Sequence, residues 1–173
     1  MIEQHDYPVT LRWTGEKLGV ATSSDRLPEL EVATPPEFGG PEFVWSPEHL
    51  LVASVASCFM TTLLAIAANS KLEIVGLDIP ASGRLARGDD RRYSITRIEL
   101  RPRIVIADEK DRTKAERLAH KADEICLISR SLRSEVVLEP TVEIAGSSRP
   151  ATAAASYYIS NPALGERWRR AES

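Results

Sequence analysis

Cysteine occurs only twice in this chain of 173 residues, at Cys58 and Cys126, and aromatic residues make up only 6% of it. Two cysteines are too few for a disulfide framework, which leaves either a reducing compartment or a two-thiol redox couple. Neither sign of charge dominates. The 22 Lys and Arg stand against 25 Asp and Glu for a formal charge of −3, and the basic residues are scattered rather than gathered in one block. Such a distribution offers no footprint for nucleic acid. The opening MIEQHDYPVTLRW lacks a basic n-region followed by an apolar h-region, so no secretion signal is expected and the cytoplasm is the expected location. No internal repeat is visible. What remains, 43% hydrophobic and 27% charged residues, fits one globular domain with a real core.

One segment carries no charge at all, from Leu50 to Ala68, with Cys58 near its middle. As a helix it would reach roughly 28 Å at ~1.5 Å per residue, close to the ~30 Å of a bilayer's hydrocarbon. Three readings are open: a membrane span, a core helix, or a site of chemistry. Ser54, Ser57, Thr61, Thr62 and the alanines among them argue against a span, as does the lack of an aromatic belt. A core helix is the better reading, its small residues suited to close packing against a sheet or a second copy. Its start is well marked. Ser46 can cap it, Pro47 supplies a fixed φ at the first helical position, and Glu48 places a negative charge at the positive end of the dipole. The spacing predicts a helix from Pro47 to about Asn69 and Ser70.

Before this helix, YPVTLRW, KLGVATS and PELEVAT read as a small antiparallel meander, and TPPEFGGPEF as a loop that delivers the chain to the cap. After it come two longer strand candidates, LEIVGLDIPASGRLAR and YSITRIELRPRIVIAD, joined by the polar turn GDDRR. From Asp111 the apolar positions Ala115, Leu118, Ala119 and Ala122 have helical spacing, so a second, amphipathic helix is expected to end near Cys126. EVVLEPTVEI follows as a closing strand, with Pro140 demanding an edge position or a bulge. The expected architecture is α+β, with roughly six strands and two helices in one domain over residues 1–145 and a tail or packing arm over residues 146–173.

The stretch SPEHLLVASVASCF resembles the first-cysteine motif of the OsmC/Ohr family, in which a Pro-Glu-x-Leu helix start lies ten residues before a cysteine. CLISRSLRSEVVLEPTVEI resembles that family's second-cysteine motif, although Leu127 stands where a proline is usual, and the order of elements agrees over about residues 7 to 145. The resemblance implies an OsmC-like fold, antiparallel sheets around a long buried central helix in an intertwined homodimer, and reduction of organic hydroperoxides. Cys58 would attack the peroxide oxygen, Cys126 would resolve the sulfenic acid, and a dithiol reductant such as a lipoylated protein would restore the pair. The other class compatible with these motifs is an OsmC-like small-molecule-binding protein that keeps the fold without peroxide chemistry; a structural dimer with inert thiols is a third. No cofactor and no membrane partner is implied.

A thiolate is the nucleophile, so Cys58 needs a cation or hydrogen-bond donors to offset its apolar surroundings. Glu48 is ten residues away along the same helix, about 15 Å and some 80° around, and cannot touch Cys58 within one straight helix. In the resembled family the glutamate matching Glu48 pairs with an arginine from the N-terminal strand region. Here the matching place in WTGEKLGVATSSD holds Lys17 or Glu16, so Arg26, ahead of Arg12, is the expected replacement. Lysine lacks the planar fork of a guanidinium. His49 and His120 have no partners at ligand spacing, so no metal site is expected and neither is given a role. Phe43, Trp45 and Phe59 are expected to pack at the helix mouth and to share in a pocket wall.

Overall fold

Residues 4–24 and 27–146 are described by the computed structural model of the chain. Strands β1 (Thr10–Gly15), β2 (Leu18–Thr22) and β3 (Leu30–Ala33) form the expected meander. Helix α1 (Pro47–Asn69) follows, then β4 (Ile74–Asp78), β5 (Ala81–Arg87), β6 (Tyr93–Leu100) and β7 (Arg103–Ile106). Helix α2 (Arg112–Ile125), a four-residue α3 (Leu127–Arg130), β8 (Glu135–Leu138) and β9 (Thr141–Ile144) complete the described chain. The expected tail lies, from residue 147 onward, outside the described residues.

Each of the longer strand candidates is two strands, and the same residue type divides all of them. Pro80 separates β4 from β5, Pro102 separates β6 from β7, and Pro140 separates β8 from β9. A proline cannot donate to a sheet ladder, so at these points the chain leaves one sheet and enters another. One sheet has the order β4-β7-β9 and the other β5-β6-β8. The crossings stay in step: Arg101 N–H donates to Pro80 O, Glu139 N–H to Leu100 O and Thr141 N–H to Pro102 O, each at 2.9 Å. β8 and β9 are edge strands and pair in parallel, so these two sheets are mixed where wholly antiparallel ones are expected.

Alternation divides the faces of this bent surface. Ile98, Leu100, Ile104 and Ile106 are wholly buried against the helices. Their outward neighbours form a charged ladder in which Arg97 binds Glu99 and Glu135, Arg101 binds Glu99 and Glu139, and Arg103 binds Asp78 and Glu143. From the other side α1 supplies Val55, Phe59, Leu63 and Ala67 at i, i+4 spacing, and α2 supplies Ala115, Leu118, Ala119 and Ala122. Small α2 residues let the two helices approach closely.

Both ends of α1 are locally determined. The Ser46 hydroxyl accepts the His49 N–H, and Pro47 occupies the first turn. At the other end Lys71 adopts φ 53, Lys71 N–H donates to Ala68 O and Leu72 N–H to Ala67 O. That is a Schellman ending, with the contact between buried Leu72 and Ala67 in the place where such motifs carry an apolar pair. The helix is long and apolar enough to cross a membrane, yet only 22% of its most apolar window is buried within the chain.

Candidate functional site

Cys58 is half-buried on α1, and Cys126 is fully buried in the break between α2 and α3. The two thiols lie close enough for each to act on the other's ionisation. Burial pushes the Cys58 thiol up, but the backbone N–H of Ile128, the Cys126 thiol, the Thr62 hydroxyl and the backbone N–H of Leu127 oppose it, and the balance holds Cys58 below the ordinary thiol range. Cys126 moves the other way. Burial raises it, Ser129 opposes through its side chain and N–H, and the charge that forms on Cys58 adds to the rise. The Ser129 hydroxyl is itself buried without a hydrogen bond of full geometry, so its hold on Cys126 is weak. Of the two sulfurs, Cys58 is therefore the one that ionises first. Among the described residues the groups that favour its thiolate are neutral hydrogen-bond donors, one of the two alternatives expected.

These donors come from local folding that a motif search does not see. Thr62 lies one turn beyond Cys58 on α1, so its hydroxyl faces the same side. α2 ends at Cys126, whose ψ of 116 turns the chain out of the helix; α3 then presents the N–H groups of Leu127 and Ile128 to the sulfur of Cys58. The leucine in place of the usual proline retains an N–H, and that N–H is used.

The first turn of α1 is a different place. There a cavity of about 960 Å³ opens between α1 and strands β5 and β6, lined by Val52, Ala53, Ala56 and Met60 on one side and by Ile79, Leu85 and Ile95 on the other. Ser46, Glu48 and His49 also line it, and neither cysteine does. Glu48 Oε2 is buried and has no hydrogen-bond partner among the described residues. α1 runs unbroken from Pro47 to Asn69, so the Glu48 and Cys58 of one chain stay apart. The structure brings Cys58 and Cys126 together and leaves Glu48 at a separate station.

The expected replacement for the family arginine, Arg26, lies outside the described residues. Arg12 is exposed on β1. Lys17 is committed elsewhere, its Nζ donating to Phe38 O at 2.6 Å on the rim of the cavity. Phe38 also packs edge-on against Tyr93 at 5.7 Å, and the Arg87 guanidinium lies over the same Tyr93 ring. Gly40 follows because a Cβ there would fall 1.6 Å from Thr34 O. Of the three aromatics expected at the helix mouth, Trp45 lines the cavity, Phe59 is in the core on the opposite stripe of α1, and Phe43 is fully exposed with φ 64. Among the described residues there is no group of three or more His, Cys, Asp or Glu that could hold a metal ion.

His49 has no metal-ligating partner in the sequence, and its partner is of another kind. In the structure its Nδ1 lies 2.9 Å from the buried Ser46 Oγ, and its ring meets Trp45 edge-on at 6.2 Å. The usable signal was the Ser-x-x-His spacing across a helix cap, which sets residues i and i+3 on one face.

The family model for OsmC-like protein matches residues 39–141. An organic hydroperoxide resistance protein from Xanthomonas axonopodis pv. citri is 31% identical over 128 residues, covering 71% of this chain and 84% of the relative. The uncharacterized protein YmaD of Bacillus subtilis is 27% identical over 147 residues, covering 82% of this chain and 97% of its own length. Among solved structures, an OsmC-like protein of unknown function from Vibrio cholerae superposes with a TM-score of 0.74 at 22% identity, covering 80% of this chain and 100% of that one.

Proposed function

The chain belongs to the OsmC-like protein family, and from that premise we propose that it is a cysteine-based peroxidase acting on organic hydroperoxides. The observation that carries this reading is the placement of Cys58, on α1, beside Cys126, at the break between α2 and α3, near enough for each sulfur to act on the other's ionisation. The Cys58 thiolate attacks the terminal oxygen of the hydroperoxide, the O–O bond breaks, and the departing alkoxide takes up a proton to leave as the alcohol. Cys58 is then a sulfenic acid. The Cys126 sulfur attacks it, water is lost, and a disulfide forms. A dithiol reductant, such as a lipoylated protein, returns both sulfurs to thiols by exchange.

The working unit in this proposal is a homodimer of domains spanning residues 1–145, with residues 146–173 as a tail or packing arm, in the cytoplasm. Two uncovered apolar faces support it. On and before β1, the alternate residues Tyr7, Val9, Leu11 and Trp13 are all largely exposed, and on α1 Met60 and Leu64 are 38% and 43% exposed. A second copy would cover both and would allow the Glu48 station of one chain to meet the Cys58 of the other. In this reading Arg26 is the basic residue that reaches the site.

A second reading has its own observation. The large cavity excludes both sulfurs within one chain, as a protein that binds a small apolar molecule without peroxide chemistry would. Exposure of the reduced protein to excess cumene hydroperoxide, followed by a count of free thiols, separates the two. The peroxidase reading expects both thiols to be lost within minutes and Cys58→Ser to keep Cys126 reduced. Should the wild-type thiols survive unchanged, the binding reading takes its place.

A further inference from the structure

We propose that His49 is a positioning residue that acts opposite Glu48 in the large cavity, giving the hydrogen bond that a bound head group accepts while Glu48 receives the one it donates. This deepens the peroxidase reading and rests on it for the identity of the natural ligand, but the binding chemistry stands on the cavity itself.

The argument begins with a buried proton. Ser46 is 1% exposed, so its hydroxyl proton cannot be left to water. Its oxygen already accepts the His49 backbone N–H at 3.4 Å, and the one acceptor within its reach among the described residues is His49 Nδ1 at 2.9 Å. Satisfying the hydroxyl therefore leaves Nδ1 bare and puts the proton of the neutral imidazole on Nε2. The His49 ring, on an exposed residue, meets the ring of Trp45 edge-on. Nε2–H is thus a donor whose tautomer is set by the helix cap.

That donor faces a particular deficit. Among the described residues two carboxylates, Glu37 and Glu48, line the cavity, and no lysine or arginine does. Glu48 Oε2 is buried and has no hydrogen-bond partner among them, a costly state that a ligand proton would relieve. His49 is the one side chain with a titratable nitrogen among the described lining residues. A ligand that answers both groups needs one proton to give, a lone pair to accept Nε2–H, and an apolar body to lie along Val52, Ala56, Met60 and Ile95. Hydroperoxides and alcohols with bulky apolar substituents meet all three conditions. An alkylammonium satisfies the carboxylate but has no lone pair for Nε2–H, and a carboxylate repels Glu48.

The test uses the full chain carrying Cys58→Ser, so that nothing depends on turnover, and cumyl alcohol as the probe, followed by calorimetry. The parent should bind the alcohol. His49→Leu, which removes the donor, should weaken binding by about tenfold, the scale of one buried hydrogen bond. His49→Gln should recover all but about threefold, because its amide can accept from Ser46 and still donate into the cavity. Circular dichroism and melting of each variant establish that the fold is intact. Equal affinity for the parent and His49→Leu, a His49→Gln as weak as His49→Leu, or a parent that binds no alcohol would each overturn the proposal. Peroxide consumption by the wild type is read separately: its absence with alcohol binding retained removes the peroxidase reading and leaves the role of His49 standing.

Discussion

α1 carries two stations that differ in kind. At its middle, Cys58 is half-buried beside α3 and Cys126, and among the described residues short-range neutral donors oppose the burial that raises its thiol. At its head, Glu48 Oε2 has no hydrogen-bond partner among the described residues, beside an open cavity that the His49 imidazole also lines. The first station has both sulfurs within one chain and lies outside the cavity; the second has room and neither sulfur. A nucleophile needs enclosure to control its proton, whereas a binding site needs volume, and one straight helix separates the two by about 15 Å. The proposed dimer joins what the helix keeps apart, since a two-fold axis sets each chain's head station against the other's middle.

Removing a sulfur breaks the comparison most severely. Cys58→Ser is expected to abolish hydroperoxide consumption altogether. Cys126→Ser should consume one equivalent per chain and then stop, because the sulfenic acid forms but cannot condense. A dimedone adduct on Cys58, located by mass spectrometry in the second variant and absent from the first, checks the order of events. A Cys126→Ser protein that turns over freely would show that the pairing of the sulfurs is not the catalytic one.

The next effect contrasts the covered and uncovered sides of the same helix. Leu63 is fully buried while Leu64, its neighbour, is 43% exposed. Leu63→Ala leaves a cavity and should lower stability by about 2–5 kcal/mol in urea unfolding. Leu64→Ala should do little at high protein concentration but make the melting temperature fall on dilution, since what it weakens is association. Equal responses from the two positions, independent of concentration, would mean that the outer face of α1 is not an interface.

The parts legible from the residues share a physical character. α1 was readable at both ends because Ser46 with Pro47 starts a helix and the polar Asn69 and Ser70 end the apolar run, and α2 because its apolar stripe repeats every three to four residues. Alternation was also readable, but it runs on through Pro80 and Pro102, so two bent surfaces looked like two long strands until their partners were known. α3 is too short to have a period of its own. The pairing of Cys58 with Cys126 was legible through motif resemblance rather than pattern. The donors that act on Cys58 were not, because two of them are backbone N–H groups whose direction depends on how α2 ends. His49 escaped for a similar reason: its partner is a cap hydroxyl, and a cap is read for the helix it starts rather than for the tautomer it selects.

The smallest expected effect sharpens the first station. Thr62→Val keeps shape and burial but deletes one of the donors that hold Cys58 down. Alkylation by iodoacetamide proceeds through the thiolate, so its rate climbs as pH rises through the Cys58 pKa, which lies below the ordinary thiol value of 9.0. Without the Thr62 hydroxyl the burial penalty is less fully opposed, and the profile should move to higher pH, with alkylation at neutral pH slowed. Stability shifts with the same sign. A thiol depressed in the native state favours folding above its unfolded pKa and loses that contribution as pH falls through the native one, so the wild type should gain more than Thr62→Val on going from pH 7 to pH 9. Cys126 supplies the internal control, since burial raises it and Thr62 is not among the groups that act on it. A variant whose Cys58 profile does not move, while Cys126 stays unreactive, would assign the lowered thiol to the backbone donors at Ile128 and Leu127 alone and reduce Thr62 to a packing residue.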